Sequence, residues 1–207
     1  GNRTVLLRTR ATKTKMPSDY TTYRFTEDNQ PDERTYIQLK NVRLHSYSSQ
    51  QDNYGAAAAN MIDGNGNTGW HNTWNGEENK FYTVEFDKVR YISSIEYLPS
   101  GHNGILRSAD IYTSMDGQNW TKSGEVRNLP NNYDKKTLNL YESTPAKYVK
   151  IQAVNTYGSP NDVFFTGKML NFFEDTTKIY DPIATFSFDG ENANKLVLAP
   201  KYSTGST

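Results

Sequence analysis

Phe81-Tyr82-Thr83-Val84-Glu85-Phe86 alternates its side chains, with Tyr82, Val84 and Phe86 on one face. A strand turns successive side chains to opposite faces, so this run reads as a strand with one buried side. Tyr148-Val149-Lys150-Ile151-Gln152-Ala153 repeats the pattern, with Val149, Ile151 and Ala153 together and Lys150 and Gln152 opposite. Working outward, similar runs near residues 36–46, 90–98, 105–115, 120–127, 136–142 and 163–173 predict further strands. Turn formers separate them. Asp116-Gly117 between two strand-like runs predicts a hairpin, and residues 99–104 and 128–134 read as loops. Residues 56–62 form the one helix-like stretch, a single turn or short helix that ends at Asp63-Gly64. There are no internal repeats. Short strands spaced by turns predict an all-β sandwich.

Composition agrees. The 207 residues include 15 Tyr, 9 Phe and 3 Trp, and aromatic residues favour strands. Lys and Arg together number 23, as do Asp and Glu, and this neutrality argues against a general nucleic-acid binder. The first fifteen residues are locally basic (Arg3, Arg8, Arg10, Lys13, Lys15) and read as a solvated tail or edge strand. Cysteine is absent, so there is no disulfide framework, thiol nucleophile or Cys-ligated zinc. No apolar run is long enough to span a membrane, and no signal peptide is read.

The ends differ from the middle. Residues 1–35 carry strand-like pieces at 4–7 and 20–25, then an acidic stretch; residues 176–207 carry others at 184–188 and 196–198. Neither end is long enough for its own core. They read either as a small sheet paired together or as parts of neighbouring β domains, flanking a sandwich at 36–175.

The densest cluster of special residues runs from Asn60 to Trp74. Asp63, Asn65, Asn67 and Thr68 place several oxygens on a tight Gly-containing loop, the donors that hard cations prefer. The spacing opens like an EF-hand, but the sixth position is Thr68 and the twelfth is Trp74, so an EF-hand is rejected. A calcium loop of another kind and an Asx-rich turn without metal both remain. Trp74 stands beside His71, Asn72, Asn75 and Glu77 in a loop. An aromatic ring takes the C–H face of a sugar while polar groups fix its hydroxyls, so Trp74 is read as a ligand contact. Trp70 is read as core.

At this point the chain resembles the discoidin, or coagulation factor F5/8 type C, domains, and among them the family 32 carbohydrate-binding modules. The resemblance spans residues 35–174. It rests on Ala59-Asn60-Met61-Ile62-Asp63-Gly64, Thr68-Gly69-Trp70-His71-Asn72, Tyr82-Thr83-Val84-Glu85-Phe86 and Tyr97-Leu98-Pro99. It continues in Ala109-Asp110-Ile111-Tyr112-Thr113-Ser114-Met115-Asp116-Gly117-Gln118-Asn119-Trp120 and Ala146-Lys147-Tyr148-Val149-Lys150-Ile151. It implies an eight-stranded jelly-roll-like β-sandwich, galactose-binding-domain-like, with ligand loops at one end. It also implies a structural Ca2+ held by Asp63 and Thr68 side chains, by Asn65, and by backbone carbonyls such as that of Asn60. A Glu that the family often supplies before the final strand is Met169 here.

Galactose-binding members resemble this chain at His71 and Trp74. Where they carry an Arg after Tyr-Leu-Pro, this chain has Ser100, which cannot reproduce the guanidinium fork. His102 and Asn103 in the same loop are the expected substitutes. A further aromatic is expected from Tyr157, with Phe164 or Phe165 as alternatives.

No Gly-x-Ser-x-Gly elbow, phosphate loop or His-Glu-x-x-His helix is present, and the chain is read as non-catalytic. The resemblance implies a parent protein that is a glycoside hydrolase or surface peptidase. The expected role is a module that attaches a secreted or surface bacterial protein to glycans. The alternative is an adhesion module for a protein or cell-wall partner. Phospholipid binding wants apolar spikes beside cations, which the Asn- and Gly-rich loops lack; neither membrane insertion nor nucleic acid is expected.

Overall fold

A computed structural model describes residues 34–100, 103–158, 162–178 and 180. The strands are β1 (Arg34–Tyr36), β2 (Val42–Tyr47), β3 (Trp70–His71), β4 (Lys80–Leu98), β5 (Ile105–Ser114), β6 (Thr121–Val126), β7 (Lys136–Tyr157), β8 (Thr166–Gly167) and β9 (Met169–Asp175). The expected terminal strand pieces lie outside the described residues.

The β5–β6 hairpin forms where Asp116-Gly117 predicts it, with Thr113 opposite Thr121. Asp116 Oδ1 accepts from the amides of Gln118 and Asn119, both at 2.8 Å. Those amide bonds hold its carboxyl well below the usual carboxylate range.

Two long strands build both layers of the sandwich. Residues 80–86 of β4 pair with β2 and with residues 148–153 of β7. β5 continues this layer on the far side of β7. Beyond a register break between Glu85 and Arg90, β4 pairs instead with β9 and with residues 136–146 of β7. The sequence reads these stretches as separate strands; each pair is one continuous strand that crosses from layer to layer. The crossing in β4 is pinned by Arg90, which is buried and ion-paired to Asp87 and Glu174. β6 closes the far edge by a contact between Gly124 and Leu140. A Cβ on Gly124 would lie 2.8 Å from the Asn139 carbonyl oxygen, so only glycine permits that approach.

The run expected as one strand at 36–46 is interrupted. β1 pairs with β9 in one layer and β2 pairs with β4 in the other. A 3-10 turn at Leu39–Asn41 carries the chain between them. The run expected at 163–173 is likewise divided into β8 and β9, because residues 163–165 bond to the loop after β3.

The core lies between the layers. Tyr82, Val84, Phe86, Val149 and Ile151 face Ile92, Ile95, Leu138, Leu170 and Phe172, all buried. Phe86 meets Phe172 edge-on at 5.4 Å across the interface. Each such side chain contributes about 1.5–3 kcal/mol by leaving water. Trp70, 1% exposed as the sequence predicts, packs on Phe165 and Tyr82 at one end of the sandwich.

Candidate ligand cleft and oxygen loop

That end carries the cleft. β3 pairs with β8, Trp70 opposite Gly167 and His71 opposite Thr166. Because side chains alternate, Trp70 points into the core and His71 outward. The chain then turns through Thr73–Gly76, where Gly76 adopts φ +75° and a Cβ would lie 2.4 Å from Val163. Trp74 projects from this turn, 51% exposed. Its amide donates to Gln51 Oε1 at 3.1 Å. His71 lies edge-on between Trp74 (6.3 Å) and Phe164 (5.4 Å). His71 Nδ1 is 2.7 Å from the Asn72 carbonyl. A carbonyl only accepts, so Nδ1 carries the proton and Nε2 is the acceptor of the neutral ring.

Under the turn, Asn72 is fully buried. Its Nδ2 donates to the Val163 carbonyl and to Glu77 Oε1, and its Oδ1 accepts from the Phe165 amide. Glu77 Oε1 also accepts from Ser49 at 2.5 Å. The sequence placed Asn72 and Glu77 among the polar partners of Trp74. The structure corrects this: both face inward and hold the turn in place.

The cleft has a volume of about 880 Å³. It brings together His71, Trp74, Asn103 and Tyr157, residues far apart in sequence. His102 lies outside the described residues. The Tyr157 hydroxyl donates to the Leu129 carbonyl at 2.8 Å, which fixes the ring, and the Arg107 guanidinium lies 5.6 Å from its centroid. Of the two alternatives, Phe164 lines the cleft and Phe165 is buried core. Ser100 is buried and donates to Thr166 Oγ1 at 2.7 Å.

Sequence reasoning missed Tyr133 and Lys168, which also line the cleft. Tyr133 is 64% exposed. An aromatic in the Asn-rich 128–134 loop was the available signal. Lys168 carried none, because its place follows from the β3–β8 pairing.

The oxygen loop follows a 3-10 turn at Ala58–Ile62, the short helical turn expected there. Tyr82 anchors that turn by donating to the Ala58 carbonyl at 2.7 Å. Burial, with Asp63 nearby, pushes its phenol far above the usual value, so it stays a neutral donor. Asn60 Nδ2 donates to the carbonyls of Gly55 and Gly69, which leaves its own carbonyl, rather than its amide, for any cation. Thr68 Oγ1 lies 2.7 Å from both Asp63 Oδ2 and the Asn65 carbonyl. A hydroxyl has one proton, so the two acceptors share it in a three-centre bond. The converging oxygens are of the hard type that a calcium ion takes. With a single carboxylate in the loop, no group of three His, Cys, Asp or Glu side chains gathers there or elsewhere among the described residues.

The F5/8 type C domain model matches residues 45–163. The chain belongs to that family. The fold is also that of a module from a family 31 glycoside hydrolase of Clostridium perfringens, at TM-score 0.62 and 24% identity over 67% of this chain and 94% of that one. The family 32 carbohydrate-binding module of C. perfringens NanJ, solved with galactose, is 29% identical at TM-score 0.59, over 68% of this chain and 99% of the module. A C. perfringens CpGH89 module solved with GalNAc-β-1,3-galactose is 28% identical at TM-score 0.60, over 67% and 99%.

Proposed function

We propose that this chain is a non-catalytic carbohydrate-binding module that attaches a larger secreted or cell-surface bacterial protein to glycans. The exposed Trp74 ring, held against His71 at the cleft, is the observation that carries the reading. The ring takes the apolar face of a sugar, and His71 and Asn103 bond its hydroxyls. Tyr157 and Phe164 wall the far side. Related modules bind galactose and GalNAc-galactose, which supports the sugar class. The described lining holds no carboxylate, whereas glycoside hydrolysis commonly uses two.

A single sugar binds weakly. About 0.3 kcal/mol per non-hydrogen atom over a hexose gives a Kd on the order of 1 mM, and affinity for surfaces comes from several modules acting together. A glycan array of the full chain beside Trp74→Ala tests the reading. Binding to a defined terminal sugar, lost at least tenfold in the variant, supports it. A folded chain that binds no glycan sinks it.

Calcium, held by Asp63, Thr68 and the carbonyls of Asn65 and Asn60, would brace the loop beside the cleft, since Asn67 and Thr68 are also in the cleft wall. At a hundredfold excess over its Kd the ion adds about 2.7 kcal/mol of stability. Thermal melts with calcium and with chelator should differ by several degrees, and Asp63→Asn should remove the difference. Identical melts of the wild type would rule the site out.

A further inference from the structure

The cleft's charge narrows the sugar class, and this step rests on the sugar reading above. Most described cations are already engaged. Arg43, Arg90, Lys122, Arg127, Lys135, Lys147 and Lys178 pair with carboxylates. Lys80 and Lys136 donate to backbone carbonyls, Lys150 and Arg107 lie over aromatic rings, and Arg34 donates to Asn139. Among the described residues, Lys168 has none of these contacts. Lys40 and Lys88 share that condition, but they are exposed and do not line the cleft.

Lys168 does line it. It follows directly on Gly167, the β8 partner of Trp70, where the chain bends between β8 and β9 beside the cleft. No described lining residue is acidic, and Asn67, Asn103 and Asn131 add amide donors. In a chain of zero formal charge, one wall of the cleft is therefore cationic and rich in donors. Ser100, also in the lining, is buried and committed to Thr166, so it offers a ligand little.

We infer that the module selects glycans carrying an anionic substituent, a carboxylate or a sulfate, which Lys168 receives while Trp74 stacks on the ring. Donation from an ammonium to an anion is stronger than donation to a hydroxyl, but the site is open to water. The gain is therefore modest, about three- to tenfold over the matched neutral sugar, and it shrinks as salt rises toward 1 M, where the screening length falls to about 3 Å.

The test is an array of matched pairs: galactose with galacturonic acid and with galactose 6-sulfate, glucose with glucuronic acid, lactose with 3′-sialyllactose. The full chain, Lys168→Gln, Lys88→Gln and Trp74→Ala are applied in the same calcium buffer. The expected result is an acid-to-neutral ratio above three that collapses toward one in Lys168→Gln and persists in Lys88→Gln. Which acidic partner retains the preference tells carboxylate from sulfate. Equal or preferred binding of the neutral partners overturns the inference and leaves the sugar reading intact. So does an acid preference that survives Lys168→Gln. No binding of either partner by folded wild type overturns both.

Discussion

Trp74 and Trp120 both reach the surface, but in different surroundings. At Trp120 the Lys150 ammonium sits 4.6 Å from the ring centroid, and the same ammonium lies 4.9 Å from Tyr112 across the strand. That patch on the outer sheet is filled by its own cation, and burial lowers the lysine's pKa. At Trp74 the His71 ring stands at 74° to the indole with 6.3 Å between centroids, the backbone amide donates to Gln51, and half of the residue stays in solvent. The ring proposed to take a sugar is thus the one with the larger share of its residue in solvent, 51% exposed, while the other carries a cation from its own sheet. A third tryptophan, Trp70, shows the opposite extreme, with its Nε1 donating to the Ser49 carbonyl and its ring in the core.

The contrast can be broken by mutation. The largest effect belongs to Trp70→Ala, which should cost about 3–5 kcal/mol of stability through the cavity it leaves, read as a drop in denaturation midpoint. Trp74→Ala should change that midpoint by less than about 0.5 kcal/mol, because surface changes are usually small. A large loss there would mean that Trp74 is core after all. Next comes Asn72→Ala, which strands the buried Phe165 amide and Val163 carbonyl and should cost about 1–3 kcal/mol. It should weaken sugar binding as well, since Asn72 holds the turn that carries Trp74. A destabilised variant with unaltered binding would free the turn from that role. Lys150→Met should cost about 0.5–1 kcal/mol of cation–π contact, with no change in sugar binding. Altered binding there would place a ligand surface at Trp120.

Much of this was legible in the sequence. The two-residue alternation in 81–86 and 148–153 marked the buried faces, and Asp116-Gly117 marked the hairpin. Trp70 was read as core and Trp74 as exposed in a polar loop, and their burial follows that reading. What alternation cannot show is continuity: β4 and β7 each pass from one layer to the other, and the break in β4 is held by the arginine clamp on Asp87 and Glu174, the latter distant in sequence. For the same reason Asn72 read as one more polar neighbour of Trp74 in the loop. Its polarity was visible, whereas its burial depends on residues 163–165, which only the folded chain brings near.

One consequence follows from the β3–β8 pairing. The cleft takes one wall from residues 70–74 and the other from residues 164–168. A ribosome delivers the first wall long before the second. While the chain is being made it has half a grip, and a shortened fragment ending before Val163 has no more. Under the sugar reading proposed above, the two walls meet only when the final strands close the sandwich, so the cleft is among the last parts of the molecule to be completed.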